Sequence, residues 1–194
     1  MKRFVISDHH FGHENILKFT SNELKVRPGF SNVSQMNNYM IWQHNSVVSP
    51  EDKVYFLGDV AFNARVFHEV MPRLNGKKSL ILGNHDRLKM DEYYKYFRNI
   101  YSSKSIKYSD TLKLILCHYP LHPNCNYPNY PICIHGHIHE KTITVDESQH
   151  DLDSHLVPNK ILDTRYVNVS VEKINYTPVS LDEIAGRYKT SKES

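Results

Sequence analysis

Long apolar runs are missing from this sequence, and their absence removes whole classes of function. No uninterrupted stretch approaches the length that a bilayer-crossing helix needs. The apolar opening Met1–Ile6 is cut by Asp8 and His9 before the hydrophobic region of a secretory signal could develop. Cysteine is scarce: Cys117, Cys125 and Cys133 are odd in number and show no Cys-x-x-Cys spacing. That argues against a disulfide framework and a zinc ribbon, and suits a reducing cytoplasm. Excess charge is small as well. Lys and Arg number 24 against 21 Asp and Glu, and the formal net charge of +3 is too little for extended binding along duplex nucleic acid, which takes several clustered phosphate contacts. There is no internal repeat, no low-complexity tract and no polyhistidine run at either end. What remains is a soluble, cytoplasmic globular chain with no membrane partner, whose charge is compatible with a small anionic substrate.

Against these absences stands an excess of histidine. The 194 residues hold 13 His, spread through the chain, and imidazole is the commonest side-chain ligand for transition metals. Hydrophobic residues at 40% and charged residues at 23% are ordinary for a globular domain. A chain of this length buries a stable core without staples, so one domain over 1–188 is expected, with 189–194 as a frayed polar tail.

The pattern along the chain predicts an α/β architecture. Arg3–Ser7, Lys53–Leu57 and Ser79–Leu82 read as buried strands. Helices are predicted between and after them. One runs from Ser34 to Val48, with Ser34 as N-cap and Met36, Tyr39, Met40, Ile41 and Val47 at helical spacing; others span Ala64–Leu74 and Asp91–Phe97. This βαβαβ half requires a largely parallel sheet covered by helices. Farther on, Lys113–Cys117, Ile132–Ile134 and Arg165–Val171 read as strands of a second sheet, and Leu181–Tyr188 as a weak terminal helix. Two irregular stretches, 121–131 and 146–163, are long enough to be functional loops.

Five polar clusters each follow a predicted strand: Asp8-His9-His10, Gly58-Asp59, Gly83-Asn84-His85-Asp86, Cys117-His118 and Gly136-His137-Ile138-His139. Any one of them is better explained as a turn or a cap. All five at strand ends point to a shared site, because ligands of open α/β sheets collect beyond the carboxyl ends of the strands. The oxygen and imidazole donors suit Mn, Fe, Ni or Zn rather than Ca. Asp8, His10, Asp59, Asn84, His118, His137 and His139 are too many for one ion, which argues for two.

The order Asp-x-His, Gly-Asp, Gly-Asn-His-Asp, His, Gly-His-x-His over Asp8 to His139 resembles the calcineurin-like metallophosphoesterase superfamily. The opening Ser7-Asp8-His9-His10-Phe11-Gly12-His13 and the stretch Tyr176–Leu181 are similar to its small single-domain phage and bacterial members. The resemblance implies a two-sheet β-sandwich flanked by helices (α/β/β/α). It also implies two divalent metal ions, Mn first among them, with Fe, Ni or Zn as alternatives. Asp8, His10 and His139 would hold one ion, Asn84, His118 and His137 the other, and Asp59 would bridge. His85 would contact the substrate phosphate and protonate the leaving oxygen, oriented by Asp86. A water activated between the ions would attack phosphorus in line. The implied activity is that of a phosphodiesterase on a small nucleotide or a nucleic-acid end. Phosphomonoesterase activity is the alternative. A protein phosphatase fits less well, since such relatives carry Gly-Asp-x-Val-Asp-Arg-Gly where this chain has Gly58-Asp59-Val60-Ala61-Phe62-Asn63. A non-catalytic scaffold, like the retromer subunit of the superfamily, would be expected to have lost ligands that are present here.

Other residues carry weaker readings. His13 and Arg87 are candidate phosphate contacts. His9 should point away from its neighbours and be structural or exposed. Trp42 and Tyr39 are expected in the core or an interface, and the tyrosines of Asn126–Tyr130 in loop packing or base stacking. His150–His155 reads as a solvated loop or a mobile lid rather than a third metal site.

Overall fold

Short apolar strands alternating with amphipathic helices build the first half of the protein. The computed structural model describes residues 1–21, 23–126, 130–146 and 160–193. Strand β1 (Arg3–Ile6) leads through a 3₁₀ turn (Glu14–Lys18) to a small hairpin of β2 (Thr20–Ser21) and β3 (Leu24–Lys25), then to helix α1 (Val33–Val47). Next come β4 (Lys53–Phe56), α2 (Ala64–Val70) with a 3₁₀ extension (Met71–Arg73), β5 (Lys77–Ile81), α3 (Met90–Tyr94) and β6 (Asn99–Tyr101). The second half holds β7 (Ser103–Lys107), β8 (Lys113–Cys117), the single turn α4 (Pro123–Asn126), β9 (Ile132–His135), and the paired β10 (Thr144–Asp146) and β11 (Lys160–Leu162). It closes with β12 (Tyr166–Asn168), β13 (Val179–Ser180) and α5 (Leu181–Glu193).

Two principal sheets result, and the protein is mixed α/β. The first has the order β13-β1-β4-β5-β6, parallel except for β13; the second has the order β12-β9-β8-β7, parallel except for β7. Alternation along β1 separates two cores, as the period of two requires. Phe4 and Ile6 join Val54, Phe56, Met36, Met40, Phe67 and Phe97 of β4 and the helical side. Val5 joins Leu57 and Ile81 with Leu114, Leu116, Ile132 and Ile134 of the second sheet and Leu181 and Ile184 of α5. No helix among the described residues is long and apolar enough to cross a membrane.

Register positions the site. Ile6 pairs with Phe56, and Phe56 with Leu80, so β1, β4 and β5 end level and release their following loops at one height. In the second sheet Leu116 pairs with Ile134, and His135 with Asn168. Ser7 bridges to Ser170 and joins these two rows of strand ends.

Several boundaries differ from expectation. Asn32, not Ser34, caps α1: its side chain accepts from Gln35 N at 2.9 Å. Helix α2 stops at Val70 because Pro72 lacks an N–H, and the chain continues as a tighter turn. Strand β6 is only three residues long and β7 holds a single apolar residue, Ile106, so neither carries the apolar alternation by which a strand is predicted. The terminal helix extends to Glu193, beyond the expected end at Tyr188. The stretch 121–131 contains the turn α4, and 146–163 begins in β10 and ends past β11. Tyr127 and the His150–His155 segment lie outside the described residues.

Candidate metal centre

Loops from the level strand ends are zipped together by their backbones. Asp8 N donates to Gly58 O (3.1 Å), His10 N to Asp59 O (2.9 Å) and Phe11 N to Val60 O (3.0 Å), so the segments after β1 and β4 run side by side. Ser7 is tied to the second sheet through Ser7 N to Val169 O (3.0 Å) and Val171 N to Ser7 O (3.1 Å). Such close approach needs missing side chains. A Cβ on Gly136 would land on Ser7 Oγ and Asp8 Oδ2, and one on Gly83 on the Asp59 carboxylate and 2.7 Å from Asp59 N. The backbone is also forced: Asp8, His10, Asp59, His137 and His139 have φ of 58°, 49°, 53°, 70° and 51°. A left-handed conformation at non-glycine residues costs about 1–3 kcal/mol each and clusters at functional sites.

These loops bring all seven expected ligands into one cluster. Asp8 Oδ2 accepts from His137 N (2.9 Å) and Ser170 Oγ (3.0 Å), while Asp8 Oδ1 and His10 Nε2 are buried with no hydrogen-bond partner. His10 Nε2 lies 3.6 Å from Asp59 Oδ2, and His118 Nε2 lies 3.5 Å from the same oxygen. His118 Nδ1–H donates to Leu57 O (2.7 Å), which leaves the lone pair of Nε2 facing Asn84 Oδ1 at 2.9 Å. His137 Nδ1 sits 3.1 Å from that same amide oxygen. Two acceptors cannot hydrogen-bond each other, so a lone-pair pairing of this kind fits a shared cation. Donor atoms of Asp8, His10 and His139 lie within 4.8 Å of one another, as do those of Asp8, Asp59 and His118. With oxygen and imidazole donors and no thiolate, the set could hold Mn, Fe, Ni or Zn.

The electrostatics keep the imidazoles available as ligands. Burial, then the Arg27 guanidinium, holds His10 well below the usual histidine range, and burial lowers His137. His139 moves the other way: burial opposes its charge, but the Glu172 carboxylate facing Nδ1 at 3.1 Å outweighs it.

Two buried residues with no sequence signal complete the centre. Arg27, 1% exposed, donates from Nη2 to Asp8 O (2.5 Å), from Nη1 to His9 O (2.7 Å) and from Nε to Glu172 Oε1 (2.7 Å). Glu172 in turn orients His139, leaving Nε2 of that ring for the cluster. Asn168 Nδ2 donates to His139 O (2.7 Å) and so fixes the backbone of the same turn. Arg27 reads in sequence as a loop cation before Pro28, and Glu172 as a polar residue after a strand.

The remaining candidates divide. His85 is exposed at the rim; its N–H donates to Asp59 Oδ1 (2.8 Å) and its ring centroid is 5.5 Å from that of His10. Asp86 does different work from the orienting role the resemblance implies. Its carboxylate accepts backbone N–H groups of Asp59 (2.9 Å), Gly83 (2.9 Å) and Val60 (3.1 Å), clasping two ligand loops. Burial pushes its pKa up to about 6. Arg87 is exposed and folds back, with Nε donating to Asn84 O (3.3 Å). His13 stacks on Phe62 with ring centroids 4.6 Å apart, and is 5.8 Å from His10. His9 is buried and stacked between Phe11 and Phe56, a structural role. Trp42, expected in the core or an interface, is 63% exposed.

No protein-family model matches the chain. The uncharacterized protein MJ1445 of Methanocaldococcus jannaschii is 37% identical over 187 residues, spanning 94% of this chain and 89% of that one. Among solved structures, the crystal structure of the protein of unknown function AQ665 from Aquifex aeolicus is similar with a TM-score of 0.65 at 28% identity, covering 95% of this chain and 98% of that one.

Proposed function

We propose, for a chain that belongs to the same family as the archaeal protein MJ1445, that it is a dinuclear-metal-dependent phosphohydrolase acting on phosphodiesters, with a calcineurin-like arrangement of its two sheets and helices. One observation carries the reading. A single carboxylate oxygen, Asp59 Oδ2, stands between two imidazole nitrogens at 3.6 and 3.5 Å, beside the partnerless Asp8 Oδ1. That is the donor geometry a pair of cations sharing one carboxylate would use.

Asp8, His10 and His139 would hold one ion, and Asn84, His118 and His137 the other, with Asp59 common to both. Two such ions supply an activated water and neutralise charge on the phosphoryl oxygens. The chain's own residues do the rest. His118 is held in one tautomer by Leu57 O, and His139 by Glu172, so their free nitrogens are aimed before substrate arrives. Asp86 keeps the Gly58–Asp59 and Gly83–Asn84 loops in register. His85, exposed beside the cluster, is positioned to give a proton to the leaving oxygen.

The test is turnover of bis(p-nitrophenyl) phosphate and of p-nitrophenyl phosphate by the Mn²⁺-loaded protein. Faster turnover of the diester is expected, with a His85→Ala loss of roughly 10²–10⁴-fold in kcat. Faster turnover of the monoester would shift the reading to a phosphomonoesterase. No turnover of either with Mn²⁺, Ni²⁺, Fe²⁺ or Zn²⁺ would end it.

A further inference from the structure

A cavity of about 480 Å³ opens between the β2–β3 hairpin and the turn that carries His137 and His139. We infer that it takes the nucleoside part of a nucleotide ester whose phosphate lies at the metal cluster; this assignment rests on the phosphohydrolase reading above.

Position is the first ground. His137 and His139 line the cavity and also belong to the cluster, so a group esterified to a phosphate at the cluster would extend into this space. Size is the second, since the volume falls in the range of small-ligand pockets and is far too small for a folded partner. Chemistry decides the class. Its lining is mixed: Ile16, Phe19, Val26 and Ile138 are apolar, and Thr20, Ser21, Glu140 and Lys141 are polar. An alkyl chain would strip water from those hydroxyl and charged groups without replacing their hydrogen bonds. A bare sugar would leave the apolar residues uncovered. A nucleoside offers both a flat apolar face and hydrogen-bonding edges.

The aromatic part of the lining is built to receive a flat ring. Phe19 is 50% exposed, and its ring meets His13 at 5.6 Å and 79°. His13 is itself stacked on Phe62 at 4.6 Å and 5°, so Phe19 is braced by a second tier of rings. Thr20 and Ser21 follow on β2, which pairs with β3 through Thr20 and Lys25 and fixes the two hydroxyls relative to the ring.

Two esters with one leaving group test the assignment: thymidine 5′-(p-nitrophenyl phosphate) and methyl p-nitrophenyl phosphate, with Mn²⁺ bound. The readout is the ratio of their kcat/KM values. We expect the nucleoside ester to be favoured by about 5- to 150-fold, the range that base–aromatic stacking covers. Phe19→Ala should bring the ratio close to unity, and Phe19→Trp should restore it. A wild-type ratio near one, or a ratio unmoved by Phe19→Ala, would overturn the assignment while leaving the hydrolase reading intact. Calorimetric titration with thymidine 5′-monophosphate and methyl phosphate separates the two claims. If neither ester is turned over with Mn²⁺, Ni²⁺, Fe²⁺ or Zn²⁺, the hydrolase reading falls. Nucleotide binding that Phe19→Ala weakens then still sustains the cavity assignment, and absence of nucleotide binding ends it.

Discussion

Arg27 ties the backbone of the first ligand loop to the carboxylate that orients His139. It is fully buried, pins the carbonyls of Asp8 and His9, and holds Glu172 against His139. Removing one partner of such a pair leaves a buried charge uncompensated, so Arg27→Met should destabilise the fold by about 3–5 kcal/mol. Glu172→Gln is the gentler probe. Its amide oxygen still accepts from Arg27 and from His139 Nδ1–H, yet the charge that raises the basicity of His139 is gone. Outer partners of ligands are worth roughly 10–100-fold in metal affinity, and Glu172→Gln should weaken Mn²⁺ binding by about that much in calorimetric titration; it also leaves the buried Arg27 guanidinium without its counter-charge, so its urea midpoint should fall as well. Wild-type affinity in that variant would show that the pair serves folding alone. These two residues were invisible in sequence for a physical reason: they stand 145 positions apart, and neither lies in a cluster at a strand end. The seven expected ligands were legible because each sits one to five residues beyond a strand, where topology converges. Asp86 was legible as a participant, but its bonds to backbone N–H groups depend on how two loops approach, which no spacing reveals.

At the scale of elements, helix α1 carries a titratable group into the core. His44 lies on its buried face, stacked on Phe56 at 5.8 Å; Nε2–H donates to Asn75 O at 3.0 Å, and Nδ1 is buried without a partner. Burial is the main reason its pKa falls from 6.5 to about 4. The folded state therefore keeps His44 neutral where the unfolded chain binds a proton. The stabilisation is complete above pH 6.5 and is lost as pH falls toward 4, a total of about 3 kcal/mol from this group. His44→Gln keeps a donor toward Asn75 O and has no proton to gain. Its stability, read from urea midpoints at several pH values, should decline less than that of the wild type between pH 6.5 and 4, and an identical slope in both proteins would clear His44 of the effect. The same helix shows what a sequence reveals about elements. Met36, Met40 and Ile41 at helical spacing marked it, since burial of a face imposes that period. Its start was misjudged because Asn32 and Ser34 are both good caps, and only the backbone decides which side chain meets Gln35 N. Strands β6 and β7 escaped notice because the apolar alternation that marks a half-buried strand is nearly absent from them.

Across the whole molecule, the candidate centre lies where the two sheets meet. Asp8, His10, Asp59 and Asn84 come from loops after β1, β4 and β5 of the first sheet, and His118, His137 and His139 from loops after β8 and β9 of the second. The junction brings together carboxylates, bare imidazole nitrogens and an amide oxygen, with five of these residues in left-handed backbone. Groups that repel or lack partners there favour separation of the sheets; a cation among them favours closure. Metal binding should therefore act on the global fold and not on a local loop. An ion present at 100 times its Kd, binding the folded state alone, adds about 2.7 kcal/mol, and for a domain of this size each kcal/mol moves Tm by roughly 2–4 °C. Mn²⁺ should thus raise Tm by about 5–11 °C in scanning calorimetry, increasing further with each tenfold rise in concentration, and EDTA should reverse it. Asp59→Asn removes the carboxylate oxygen nearest both imidazoles and should abolish most of the gain. If Mn²⁺, Zn²⁺, Ni²⁺ and Fe²⁺ all leave the transition where EDTA leaves it, the cluster is not a metal centre, and the convergence of its loops must serve the fold alone.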